Sequence, residues 1–83
     1  MSHSTPISRE NYPQYIKLGL NIAYYRKLAG YTQEELAEVC GVSRTYLSNI
    51  EAPNMVKTLS LETLFNIAKA LNVSASRLLE FRD

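Results

Sequence analysis

Apolar residues recur at helical spacing in five stretches of the chain, each closed by a residue type that stops a helix or opens the next. Pro13 suits the first turn of a helix, where its missing N–H is no loss. Ile16, Leu18, Leu20, Ile22, Ala23, Tyr25 and Leu28 then carry the pattern up to Gly30. Gly30 can take the left-handed conformation that closes a helix, and Arg26 and Lys27 complement the dipole of the final turns. Thr32 and Glu35 predict a capping box and a short second helix, with Leu36, Ala37, Val39 and Cys40 on one side and Glu34, Glu35 and Glu38 opposite. Gly41 ends it, and Ser43 caps a third helix after a turn of about three or four residues. Residues 53–59, with Pro53, Asn54 and no helical period, predict a loop. Ser60 caps a fourth helix on which Leu61, Leu64, Phe65, Ile67, Ala68 and Leu71 share one arc. Asn72 closes that helix, and Ser74 opens a last short one bearing Leu78, Leu79 and Phe81. The expectation is an all-α, five-helix domain over residues 13–83, preceded by a flexible arm, residues 1–12, whose Ser, Thr, Pro and His follow no period.

Length and composition narrow what such a fold can do. A chain of 83 residues builds one compact unit with a single helical core, and its function is expected on the surface rather than in an enclosed cavity. The formal charge of +1 neither announces nor excludes a polyanionic partner, so the distribution of charge has to decide. A lone cysteine, Cys40, and a lone histidine, His3, leave no internal disulfide, no zinc site and, outside the N-terminal tail, no Cys–His or Ser–His pair for catalysis. The expectation is a protein with no metal, no cofactor and no enzymatic activity. Without a secretion signal or an apolar run of about 18–20 residues, no membrane association and a cytoplasmic location are expected.

The informative segment is 33–52, QEELAEVCGVSRTYLSNIEA, which meets the separate requirements of a helix-turn-helix. Two helices joined by so short a turn cross closely, which asks for a small residue at Ala37. The turn asks for positive φ, which Gly41 supplies. Leu36, Cys40, Val42, Leu47 and Ile50 supply apolar contacts across the corner. On the third helix Arg44, Thr45, Ser48 and Asn49 fall on one face, while Tyr46, Leu47 and Ile50 fall on the other. The outward types are those that base edges accept: Arg44 for guanine, Asn49 for adenine, and the hydroxyls of Thr45 and Ser48 for a base or a phosphate. A merely solvated face would more often carry Glu and Lys.

The runs LGLNIAYYRKLAG, TQEELAEVCGVSRTYLSNIE and SLETLFNIAKALNVSASRLL together resemble the phage-repressor-type helix-turn-helix family, called Xre or Cro/repressor, over residues 18–79. The run RTYLSNIE further resembles restriction-modification controller proteins, a subset of that family. The resemblance implies a five-helix, phage-repressor-like domain that binds double-stranded operator DNA as a homodimer, with the helix opened by Ser43 in the major groove. It implies a phosphate contact for Gln33 and a DNA-facing set of Ser43, Arg44, Thr45, Ser48 and Asn49. Tyr46 is open between two roles, since its helical angle points inward while family tyrosines there extend a hydroxyl toward the DNA backbone. Lys57 is open between a phosphate contact and a free surface lysine. Arg26 and Glu51 match a family pair that forms a partly buried, structural salt bridge. Ala52, Pro53 and Asn54 replace the family's basic Arg-Gly turn, so no backbone contact is carried over there.

Two functions from different classes follow. The first is a sequence-specific transcriptional regulator, a repressor or autoregulator, dimerising on a palindromic operator. Its dimer candidates are Leu78, Leu79 and Phe81: the two leucines stand about 100° apart, so one can face the core while the other, with Phe81, is open to a partner, and Tyr12 and Tyr15 are alternatives. The second is a protein-interaction module, such as an antitoxin or anti-repressor, that binds DNA only secondarily.

Overall fold

A computed structural model describes residues 6–81, and within them the chain forms five α-helices and no strand. These are α1 (Tyr12–Leu28), α2 (Gln33–Cys40), α3 (Arg44–Glu51), α4 (Leu61–Leu71) and α5 (Ala75–Leu78). Four of the five starts are fixed as the sequence predicts, by side-chain caps. Thr32, Ser43, Ser60 and Ser74 each accept the N–H three residues on, and Thr32 and Glu35 complete a reciprocal capping box. Gly41 and Asn72 close α2 and α4 in the left-handed region, with φ of 71° and 58°.

One difference lies at the start of the chain. Within the stretch read as a flexible arm, Arg9–Asn11 form a 3-10 turn capped by Ser8 and running directly into α1. Residues 1–5, including His3, lie outside the described residues.

The core is assembled from one face of each helix. Leu18 and Ile22 of α1, Leu36 and Ala37 of α2, Leu47 and Ile50 of α3, Leu64, Ile67, Ala68 and Leu71 of α4, and Leu78 of α5 are buried together. Cys40, Val42, Tyr46 and Phe81 pack partly against them. Helix α1 lies against α3, α4 and α5, while α2 lies against α3 and α4. Several apolar positions of the sequence pattern are exposed instead: Leu20 and Leu28 on α1, Val39 on α2, Leu61 and Phe65 on α4. Leu18 and Leu20 stand about 200° apart around a helix, so only one can face a core on one side. Val39, Leu61 and Phe65 sit at the margins of their arcs.

Gly41 lets the local physics be checked. A Cβ there would meet no atom within 4 Å, so a substitution is opposed by the left-handed backbone alone. Gly41→Val is expected to destabilise the fold by about 1–3 kcal/mol, because a β-branched residue resists positive φ. Thermal melting measures this, and an unchanged midpoint contradicts the turn's conformation.

Candidate nucleic-acid interface

The corner between α2 and α3 is held at both of its ends. At the turn, Val42 N–H donates to the Ala37 carbonyl at 3.0 Å and Gly41 N–H to that of Glu38 at 3.3 Å, while Ala37 is buried at the crossing. At the far end of α3, the Glu51 carboxylate receives Arg26 Nε at 2.8 Å and Nη2 at 3.0 Å. Arg26 Nη1 donates to the Tyr31 carbonyl at 2.8 Å, tying α1 to the segment that opens α2. The pair is buried, as the predicted structural bridge requires, and its two-pronged geometry fixes direction as well as distance.

Between these anchors α3 presents its polar face. Arg44 and Thr45 are exposed, Ser48 and Asn49 half-buried, and none of the four side chains is spent on a hydrogen bond to a described residue. The guanidinium, amide and hydroxyl groups share one face of a helix that packs against α1 and α2. Ser43 is exposed at the head of that face, its hydroxyl oxygen accepting Tyr46 N–H at 2.9 Å while its proton remains available to a ligand.

Three further candidate residues, Gln33, Tyr46 and Lys57, make contacts within the chain. Gln33 is half-buried and its amide donates to Glu51 Oε1 at 3.0 Å, so this side chain completes the Arg26–Glu51 cluster. The Tyr46 hydroxyl donates to the Thr58 carbonyl at 3.4 Å, and the Lys57 ammonium lies over the Tyr46 ring, 5.4 Å from its centroid. Lys57 is therefore neither free nor turned away from α3. Of the three dimer candidates, Leu78 is fully buried in the chain's own core, which corrects that reading for this residue. Leu79 is exposed and Phe81 half-buried. Those two line a groove of about 430 Å³ with Asn11, Gln14, Tyr15 and Leu18.

Sequence reasoning missed two positioning residues. Gly19 lies where α1 crosses the end of α3, and a Cβ built there would overlap the carbonyl oxygen of Ile50. Asn21 donates to the carbonyls of Leu78 and Glu80 at 2.9 and 3.0 Å, latching the chain beyond α5 to α1. A polar residue between Leu20 and Ile22 was the available signal for Asn21. Burial raises the Cys40 thiol above its usual pKa, which disfavours the thiolate that nucleophilic chemistry needs. No helix among the described residues is long and apolar enough to cross a membrane.

The helix-turn-helix family matches residues 22–78, a span that contains the corner, the Arg26–Glu51 bridge and the polar face of α3. The chain belongs to that family. It is 40% identical over 62 residues to the control protein C.SmaI of Serratia marcescens, covering 75% of this chain and 71% of that protein. It is 41% identical over 66 residues to the HTH-type transcriptional regulator SinR of Bacillus licheniformis, covering 80% of this chain but only 59% of the regulator's length. The solved structure of SinR, the master regulator for biofilm formation, in complex with DNA superposes with a TM-score of 0.70 at 41% identity. That match covers 76% of this chain and 98% of the other. Both curated relatives are named for control or regulation, C.SmaI as a control protein and SinR as a transcriptional regulator.

Proposed function

We infer that the protein is a sequence-specific DNA-binding transcriptional regulator, a repressor or autoregulator, that sets α3 into the major groove. The observation that carries this reading is the polar face of Arg44, Thr45, Ser48 and Asn49, uncommitted to other described residues, on a corner fixed by the Arg26–Glu51 bridge. The SinR–DNA complex supports it by likeness of fold. In this reading Arg44 reads guanine, Asn49 reads adenine, and Ser43, Thr45 and Ser48 add base or phosphate contacts. Gln33 acts chiefly through Glu51, since one of its two amide N–H groups is held there and only the other is left for a phosphate.

The active species is a homodimer on a palindromic operator. The groove lined by Leu79 and Phe81 supports a seam at the edge where α5 meets the start of α1, with Leu78 behind it as core. Two copies related by a two-fold axis place their recognition helices about 34 Å apart, one turn of the duplex. Selection of bound duplexes from random DNA tests specificity, symmetry and spacing together. Two inverted half-sites with centres about 10 base pairs apart are expected. Retention without any shared sequence, or no retention at all, contradicts the reading.

A further inference from the structure

Tyr46 stands at the edge of the reading face, not within it. Taking Arg44 as zero, Asn49 lies at about 140° and Tyr46 at about 200° around α3. The tyrosine is half-buried against the core, and its hydroxyl is turned to the Thr58 carbonyl. The Lys57 ammonium, 5.4 Å from the ring centroid, lies inside the range of about 6 Å over which a cation is attracted to an aromatic face. One side chain of the recognition helix thus holds both the backbone and the cation of the loop that follows it.

We propose that Tyr46 is a positioning residue for Lys57: its ring fixes the ammonium beside the Asn49 edge of the reading face, where the ammonium contacts a phosphate of the bound duplex, and the tyrosine itself does not touch DNA. The proposal rests on the DNA-binding reading above and adds a division of labour to it. Lys57 is exposed, and its ammonium has no carboxylate partner among the described residues. The ring takes one side of the ammonium and leaves its other N–H groups for phosphate oxygens. The loop needs such a device. Besides the Tyr46 hydroxyl on Thr58, its backbone is tied among the described residues by two long hydrogen bonds, Ala52 N–H to the Asn49 carbonyl at 3.4 Å and Met55 N–H to the Ala52 carbonyl at 3.3 Å. A lysine on so loosely tied a segment would lose much rotamer freedom on meeting a phosphate, and the ring removes part of that freedom beforehand. A contact of this kind holds the protein in register without reading sequence.

The test uses a labelled duplex recovered from random DNA by the wild-type chain, or a random duplex of equal length where none is enriched. Affinity is measured across a salt series for wild type, Lys57→Gln, Tyr46→Phe, Tyr46→Leu and the Tyr46→Leu, Lys57→Gln double variant. Lys57→Gln removes one phosphate contact from each subunit of the dimer, so it is expected to reduce the slope of log affinity against log salt by about 1.8, and to weaken binding about thirtyfold near physiological salt. Tyr46→Leu reproduces part of that loss, the double variant binds no worse than Lys57→Gln, and Tyr46→Phe, which keeps the ring, stays near wild type. In the free wild-type chain, proton NMR shows the Lys57 ε-methylene shifted upfield by the ring, a readout that needs neither DNA nor a folded leucine variant. Ordinary shifts there, an unchanged salt slope in Lys57→Gln, additive losses in the double variant, or a Tyr46→Phe loss equal to that of Tyr46→Leu each overturn the positioning role while leaving DNA binding intact. A wild type that retains no duplex at any salt overturns the DNA-binding reading, and this proposal with it.

Discussion

Gly19→Ala is expected to destabilise the protein by about 3 kcal/mol, the upper part of the usual range for forced overpacking, because the neighbour it meets is backbone. The added methyl would overlap the Ile50 carbonyl oxygen, and the Glu51 Cα lies 3.5 Å from the same point. Neither atom can rotate away as a side-chain tip could. Relief requires α1 to move off α3, which separates Leu18 and Ile22 from Leu47 and Ile50 and pulls Arg26 from Glu51. For a domain of this size the melting midpoint should fall by about 12–24 °C. Gly30→Ala is the control: Gly30 has a φ of 82° but no atom within 4 Å of the added Cβ, so about 1 kcal/mol is expected. A Gly19→Ala variant that melts with wild type contradicts the close crossing.

Glu51→Ala should destabilise by about 3–5 kcal/mol, since it strands a buried guanidinium with the Tyr31 carbonyl as its remaining partner. It also removes the acceptor of Gln33. Set against a total stability of about 0.05–0.15 kcal/mol per residue, this is a large fraction of what holds the chain folded. The charge, not the volume, should carry the effect. Arg26→Met combined with Glu51→Met is therefore expected to recover most of the loss, because an apolar pair needs no desolvated charges. Urea unfolding of the single and double variants separates the two cases. A double variant no more stable than Glu51→Ala would show that the ion pair is not the source.

The helices and their ends could be read from the sequence because their signals are local. The Thr32–Glu35 box, the Ser43, Ser60 and Ser74 caps and the left-handed Gly41 and Asn72 depend only on residues three or four apart. The polar face of α3 was accessible for the same reason. What escaped depends on which helices meet. Gly19 looks like any small residue until α3 is laid across it, and Asn21 like a stray polar side chain until the end of α5 is brought to it. The Gln33–Glu51 bond joins the two ends of the helix-turn-helix, which no periodicity reports. Leu78 and Leu79 show the same division: one of the two had to face the core, and only the packing of α5 on α1 and α4 assigns it to Leu78.

Everything proposed for function depends on the polar face of α3 meeting base edges. Arg44→Ala, measured against the selected duplex and a set carrying each single base-pair change, tests that contact most directly. The expected result is an affinity loss of about 1–3 kcal/mol per half-site, together with loss of discrimination at one base pair per half-site and unchanged preferences elsewhere. A variant that binds as tightly as wild type with the same preference at every position would contradict the placement of α3 in the groove.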